Sequence, residues 1–174
     1  KKMVSGSEVF LVLVCAVARA SAAASASGSA SSSASEGLLS KDFADLRVVC
    51  VGCSSGIGRA TAEELLRGGA KVVVSSRTLK NCEKVVSGFD NGHAFAADCH
   101  VAGDVSSLAK AAKDFFGGEK ITGFVWVPTA EGGGPPFSAG AEQVIDGMRS
   151  QMAVNVEGLI HFVDLILDDL KATR

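Results

Sequence analysis

The sequence predicts a doubly wound α/β fold: a parallel sheet with helices on both faces, truncated after a fourth strand and the long helix that follows it. Strand-like and helix-like segments alternate from residue 46 to residue 170, and such alternation requires right-handed crossovers and parallel strands. A glycine-rich turn, VGCSSGIGRA at residues 51–60, stands where the first strand hands over to the first helix. Of the 174 residues, the first 37 lack the pattern of a packed fold, which leaves about one modest domain.

Residues 9–18 (VFLVLVCAVA) form an apolar run, followed by Ala18-Arg19-Ala20 and a Ser/Ala tract to Ser35 without an acidic residue. The run is about half the length that a bilayer span requires. A basic start, a short apolar centre and small residues at its end are the features of a cleaved secretory signal. So Ser/Ala-rich a tract buries too little apolar surface to order itself, which weighs against a linker behind a core strand. A transit region behind the signal, as for a plastid reached through the secretory route, is the other reading. Residues 1–37 are thus expected to be a targeting leader, and 38–174 the domain. Lys1 and Lys2 precede Met3, the pattern of a translated fragment or of residues added at the terminus.

In the body, residues 46–51 (LRVVCV) are β-branched and end in glycine, as a strand buried on both faces would. In 57–67, Ile57, Thr61 and Leu65 recur every four residues, and Gly68-Gly69 stops the helix. Strands are expected at 71–75, 93–97 and 122–127, and helices at 79–86 and 105–116. Across 141–170, Met148, Met152, Asn155, Leu159, Phe162, Ile166 and Leu170 step by three and four, the pattern of one long amphipathic helix.

Without the three basic and two acidic residues of the leader, the body carries 14 basic and 17 acidic residues, a net of about −3. No basic footprint for nucleic acid remains. The body holds Cys50, Cys53, Cys82 and Cys99. The Cys50-x-x-Cys53 spacing by itself would suit redox or zinc chemistry, but no second pair at ligand spacing accompanies it.

Gly52, Gly56 and Gly58 lie between strand and helix, where absent side chains let a pyrophosphate approach the backbone and the helix N-terminus offers amide donors. Ser54, Ser55 and Ile57 complete the loop. With a strand before it and a helix after it, G-x-x-x-G-x-G from residue 52 resembles the loop of the short-chain dehydrogenase/reductase family. The likeness extends from about residue 47 to the C-terminus and implies an incomplete Rossmann domain that binds a nicotinamide dinucleotide.

The resemblance assigns roles by position. At the end of the second strand an NAD enzyme carries an acidic residue for the ribose; Ser75-Ser76-Arg77 stands there. Ser76 adds no repulsion and Arg77 offers a planar fork of donors, so NADP (NADPH) is expected over NAD. Asp98 and Cys99 match the family's adenine contacts. Asn155, in Asn155-Val-Glu-Gly158, matches the helix asparagine that bends the helix, binds an ordered water and feeds the proton relay. On the predicted apolar stripe an unpaired amide would cost about 1–3 kcal/mol.

Three departures accompany the likeness. Val51 replaces a threonine that braces the loop. Residues 125–131 (VWVPTAE), followed by GGGPP, replace Asn-Asn-Ala-Gly, and Pro128 removes a backbone donor. The serine and the Tyr-x-x-x-Lys pair, which supply the acid/base, have no counterpart, and the chain has no tyrosine. His93, His100 and His161 read as structural or solvated, with no nucleophile or carboxylate arranged beside them.

The expected function is therefore that of the cofactor-binding part of an NADP-dependent oxidoreductase acting on a carbonyl or alcohol. A nucleotide-binding protein without catalysis and a truncated product without function are the alternatives. In the family the last helix packs on its mate in a second subunit, so Phe162 and Leu167 serve either a homo-oligomer or the monomer's own core.

A doubly wound sheet needs at least two more strands, so segment 122–127 is expected to present an open edge. The isolated polypeptide should be marginally stable or aggregation-prone. A cooperative thermal melt of a soluble monomer, followed with light scattering, is the result that would exclude this.

Overall fold

The structure, a computed structural model, describes residues 43–129 and 136–173. The leader (1–37), the first residues of the 38–174 body, and 130–135, which hold Ala130, Glu131 and most of GGGPP, lie outside the described residues.

The chain runs β1 (Arg47–Val51), α1 (Gly56–Arg67), β2 (Lys71–Ser76), α2 (Leu79–Val86), β3 (Gly92–Ala96), α3 (Ala102–Phe115) and β4 (Gly123–Trp126). A short 3₁₀ turn (Phe137–Ala139), α4 (Ala141–Met152), a π-helical turn (Ala153–Glu157) and α5 (Gly158–Ala172) follow. The strands form one parallel sheet in the order β3-β2-β1-β4, with Val49 opposite Val73 and Phe124. This is the doubly wound α/β architecture that the alternation predicts, with β4 outermost on its side among the described residues.

Side chains alternate across a strand, so β1 feeds two cores at once. Val48 and Cys50 pack with Leu65 and Leu66 of α1 and Val85 of α2. Val49 and Val51 pack on the other face with Leu108 and Ala112 of α3 and Phe162 and Ile166 of α5. Phe162 is fully buried, edge-on to Phe124 with ring centroids 5.8 Å apart, and it belongs to this core. Leu167 is 38% exposed. His93 stacks on Phe115 at 5.1 Å.

Several boundaries shift by one residue. Helix α3 begins three residues earlier than its apolar repeat indicates, because the turn of backbone before Val105 is already helical: the Val105 amide donates to the Val101 carbonyl at 3.1 Å. A larger correction concerns residues 141–170. They are two helices joined by the π turn, and the wider turn rotates one face relative to the other. The buried line is Val154, Gly158, Phe162, Ile166. Met148 and Met152 are exposed, and no residue of α4 is buried. Asn155 is exposed too, its amide donating to Gln151 Oε1 at 3.3 Å, so the cost expected for a buried amide does not arise.

Two contacts fix α5 on the body. Asp169, 5% exposed, accepts from Lys120 Nζ at 3.1 Å and from the buried Ile121 amide at 3.3 Å, with Lys113 Nζ at 3.9 Å. At the other end, a Cβ on Gly158 would lie 2.7 Å from the Cys99 carbonyl oxygen and 3.1 Å from the Trp126 ring. The Trp126 indole N–H donates to the Val154 carbonyl at 3.2 Å, in the π turn, where the i→i−4 bonding of the helix is interrupted.

Burial pushes the Asp169 carboxyl upward, but the Lys120 hydrogen bond, the Ile121 amide and the Lys113 charge outweigh it and hold the group below its ordinary value. A carboxylate depressed in the folded state stabilises above its unfolded value and loses that contribution as pH falls through the folded one. Asp169→Asn should therefore cost about 1–3 kcal/mol at neutral pH, with the gap to wild type closing below about pH 4, as read by urea unfolding at stepped pH. Gly158→Ala should destabilise by about 1–3 kcal/mol, since the added carbon meets backbone rather than a movable side-chain tip. An unchanged unfolding midpoint would contradict it.

Candidate functional site

At the C-terminal ends of the strands, where ligands of open α/β sheets bind, lies a cleft of about 540 Å³. Its lining comes from the loops after all four strands and from Val154 of the π turn. Gly52, Ser54, Ser55, Gly56, Ile57, Gly58, Ser76, Arg77, Asp98 and Cys99 all line it. The structure thus brings together every cofactor residue expected from the sequence. Asn155 is not part of the lining; its neighbour Val154 is.

The three glycines answer to different constraints. Gly52 has φ 77°, and a Cβ there would run into the backbone of Val127 and Pro128. Gly56 has φ 55° with nothing within 4 Å of its would-be Cβ, so it is the open floor of the loop. At Gly58 a Cβ would come within 2.7 Å of Val127 Cγ2 and 2.9 Å of Cys53 Cα, so this glycine lets α1 pack closely on the loop. Helix α1 has Ser55 as its N-cap with no side-chain cap, which leaves first-turn amides and the positive end of the helix dipole to an anion. Ile57, expected on the packed face of α1, is 65% exposed and lines the cleft.

The Val51 side chain is 1% exposed, inside the core, and the loop is tied to the Ser75 carbonyl, which accepts from the Gly52 amide at 2.8 Å and the Cys53 amide at 3.3 Å. Beyond β4, the Val127 amide donates to the Val51 carbonyl at 3.0 Å, so pairing with β1 continues up to Pro128. Pro128, which has no amide to donate, stands where that pairing stops.

At the far end, Ser76 Oγ lies 3.2 Å from the Thr78 carbonyl oxygen and 3.0 Å from Cys82 Sγ. The Asp98 amide donates to Asp104 Oδ2 at 3.0 Å, fixing the β3–α3 loop. The Asp98 carboxyl is held below its ordinary range, first by the His100 backbone amide and, against the opposing effect of burial, by the His100 ring and the Arg77 charge. Burial pushes the Cys99 thiol up to about 11, with Asp98 adding and Arg77 opposing.

The cysteines of the expected Cys-x-x-Cys pair are both buried. Hydrogen bonding to Cys50, burial and the Cys50 charge all raise the Cys53 thiol, so Cys53 stays a thiol and both cysteines pack under the glycine loop. Among the described residues no three His, Cys, Asp or Glu side chains converge to hold a metal ion.

His100 is exposed, in keeping with its reading as structural or solvated, but the expectation of no nucleophile or carboxylate beside it is corrected. His100 lines the cleft; its ring Nδ1 lies 3.2 Å from Asp98 Oδ1, and Nε2 lies 3.5 Å from Ser150 Oγ. Asp98 was two residues away in plain view, whereas Ser150 is brought up from α4, which no local pattern shows. Trp126 and Gly158 were missed in the same way, because their partners are distant in sequence.

The model of the family described as short chain dehydrogenase matches residues 47–174. Among solved structures, a hydroxysteroid dehydrogenase from Escherichia coli is 25% identical with a TM-score of 0.63, covering 75% of this chain and 52% of its own. A short chain oxidoreductase from Pseudomonas aeruginosa PAO1 containing an atypical catalytic centre is 25% identical with a TM-score of 0.64, covering 75% and 50%. A short-chain dehydrogenase/reductase of unknown function from Caenorhabditis elegans, solved with cofactor, is 24% identical with a TM-score of 0.61, again covering 75% and 50%. The chain spans about half the length of these structures. No curated protein matches it. A family match from the first strand to the last helix, over the fold and glycine cleft described above, places this chain in the short-chain dehydrogenase/reductase family.

Proposed function

We propose that this chain is the cofactor-binding part of an oxidoreductase that uses NADP(H) and acts on a small carbonyl or alcohol. The observation that carries the reading is the cleft itself: an uncapped helix N-terminus above an open, left-handed Gly56 at one end, and Arg77 beside Ser76 at the other. Those residues fit a dinucleotide. Amides of the α1 first turn would take the pyrophosphate, and the Arg77 guanidinium would take a 2′-phosphate. When bound, the nicotinamide supplies the hydride chemistry; the chain's residues bind and orient it.

The chain has no tyrosine, so the hydroxyl that would exchange a proton with the substrate in this family is not supplied from within it. Binding without turnover is the behaviour we assign to the polypeptide as it stands. Asn155, beside the cleft on the π turn, is assigned the relay position that the family resemblance implies. The apolar run at 9–18 supports routing through the secretory pathway, and the exposed apolar residues of α4 and α5 support association with a second copy.

Titrating the fluorescence of reduced cofactor should show NADPH bound more tightly than NADH. Arg77→Ala should weaken NADPH by about tenfold or more while changing NADH little, the scale of a lost charge-assisted pair. Equal loss for both cofactors would remove Arg77 as the phosphate ligand. Absence of binding to a folded chain at millimolar NADPH would remove the reading itself.

A further inference from the structure

The far end of the cleft carries a three-membered hydrogen-bonded chain. Asp98 Oδ1 receives the His100 backbone amide at 3.0 Å and lies 3.2 Å from ring Nδ1, while ring Nε2 lies 3.5 Å from Ser150 Oγ on α4. An ionised carboxylate can only accept, and the Asp98 carboxyl is held below its ordinary range. The ring therefore presents Nδ1–H to that carboxylate, while Nε2 faces the Ser150 hydroxyl. The chain links Ser150, His100 and Asp98 across two elements separated by 50 residues.

The consequence falls on Asp98. Both donors of His100 converge on one oxygen, so Oδ2 remains to receive a donor from the cleft. A carboxylate repels phosphate, so the pyrophosphate belongs at the α1 end, and Asp98 is left for the adenine contact that the family resemblance gives it, met through an N–H donor.

We propose that His100 is a positioning residue for base recognition: by saturating Asp98 Oδ1 while anchored on Ser150, it orients the carboxylate so that the cleft selects a nucleoside with an exocyclic amino group. This rests on the dinucleotide reading above and deepens it. Adenine presents such an amino group. Hypoxanthine presents a carbonyl oxygen in the same place, and a carboxylate repels it.

The test compares NADPH with its deaminated hypoxanthine counterpart on the full chain and on His100→Leu and His100→Asn. Leucine keeps bulk and offers no donor; asparagine keeps an N–H for Asp98. Wild type should prefer NADPH by about tenfold. His100→Leu should bring the ratio towards one by weakening NADPH alone, its unchanged affinity for the hypoxanthine analogue showing that the cleft is intact, and His100→Asn should restore most of the preference. A wild-type ratio in the leucine variant, or no preference in wild type, overturns the assignment while leaving the dinucleotide reading in place. A wild type that binds neither dinucleotide overturns both.

Discussion

Gly52 sits where three strand ends meet, and its lack of a side chain sets the spacing between them. Its amide donates to the Ser75 carbonyl at the end of β2, and its α-carbon faces the backbone of Val127 and Pro128 beyond β4. With a positive φ, it turns the chain from β1 into the loop within one residue. Any Cβ here would push β4 away from β1 and open the floor of the cleft. Shape at this point is therefore held by backbone hydrogen bonds and close approach, which explains why a valine at position 51 is accommodated. The side chain that would have braced the loop is replaced by a carbonyl that was already there.

The fold was largely legible because its signals are local. A β-branched run ending in glycine, a helical repeat closed by Gly68-Gly69, and their recurrence describe a parallel sheet without knowledge of any contact. The glycine loop at the α1 end of the cleft was legible for the same reason, since the placement of its backbone needs only glycines at the right spacing. The face of the last helical segment was not. Periodicity assumes a constant pitch, and the π turn at Ala153–Glu157 changes it, so a stripe read through Met148, Met152 and Asn155 lands in solvent. His100, Trp126 and Gly158 escaped because each acts on a partner far away in sequence: Ser150, Val154 and Cys99.

The π turn links the body of the domain to its surface. Trp126 holds the Val154 carbonyl, Gly158 lets α5 close on Cys99 and Trp126, and Val154 reaches the cleft. Across it the apolar row Met148, Met152, Val156, Ile160 is exposed at steps of four, while Val154, Phe162 and Ile166 face inward. One helical segment thus carries two apolar lines, and the buried one alone is used by the described residues.

The two ends of the cleft would hold a ligand by different physics, and they would respond differently to substitution. At the α1 end the donors are main-chain amides, so changes of side chain matter only where they occupy the space of a glycine. At the far end the charged groups are side chains, Arg77 and Asp98, and they oppose one another. Arg77 lowers the Asp98 carboxyl, which means that the Asp98 charge acts on Arg77 in return. A 2′-phosphate approaching Arg77 meets an attraction reduced by that neighbour, and an uncharged ribose meets none of the penalty. The NADP(H) preference proposed for this site would then be a difference between two interactions rather than the full strength of an arginine–phosphate pair. Since His100 draws one oxygen of Asp98 into its own hydrogen bonds, the geometry proposed to read the base would also govern how strongly that carboxylate competes for Arg77.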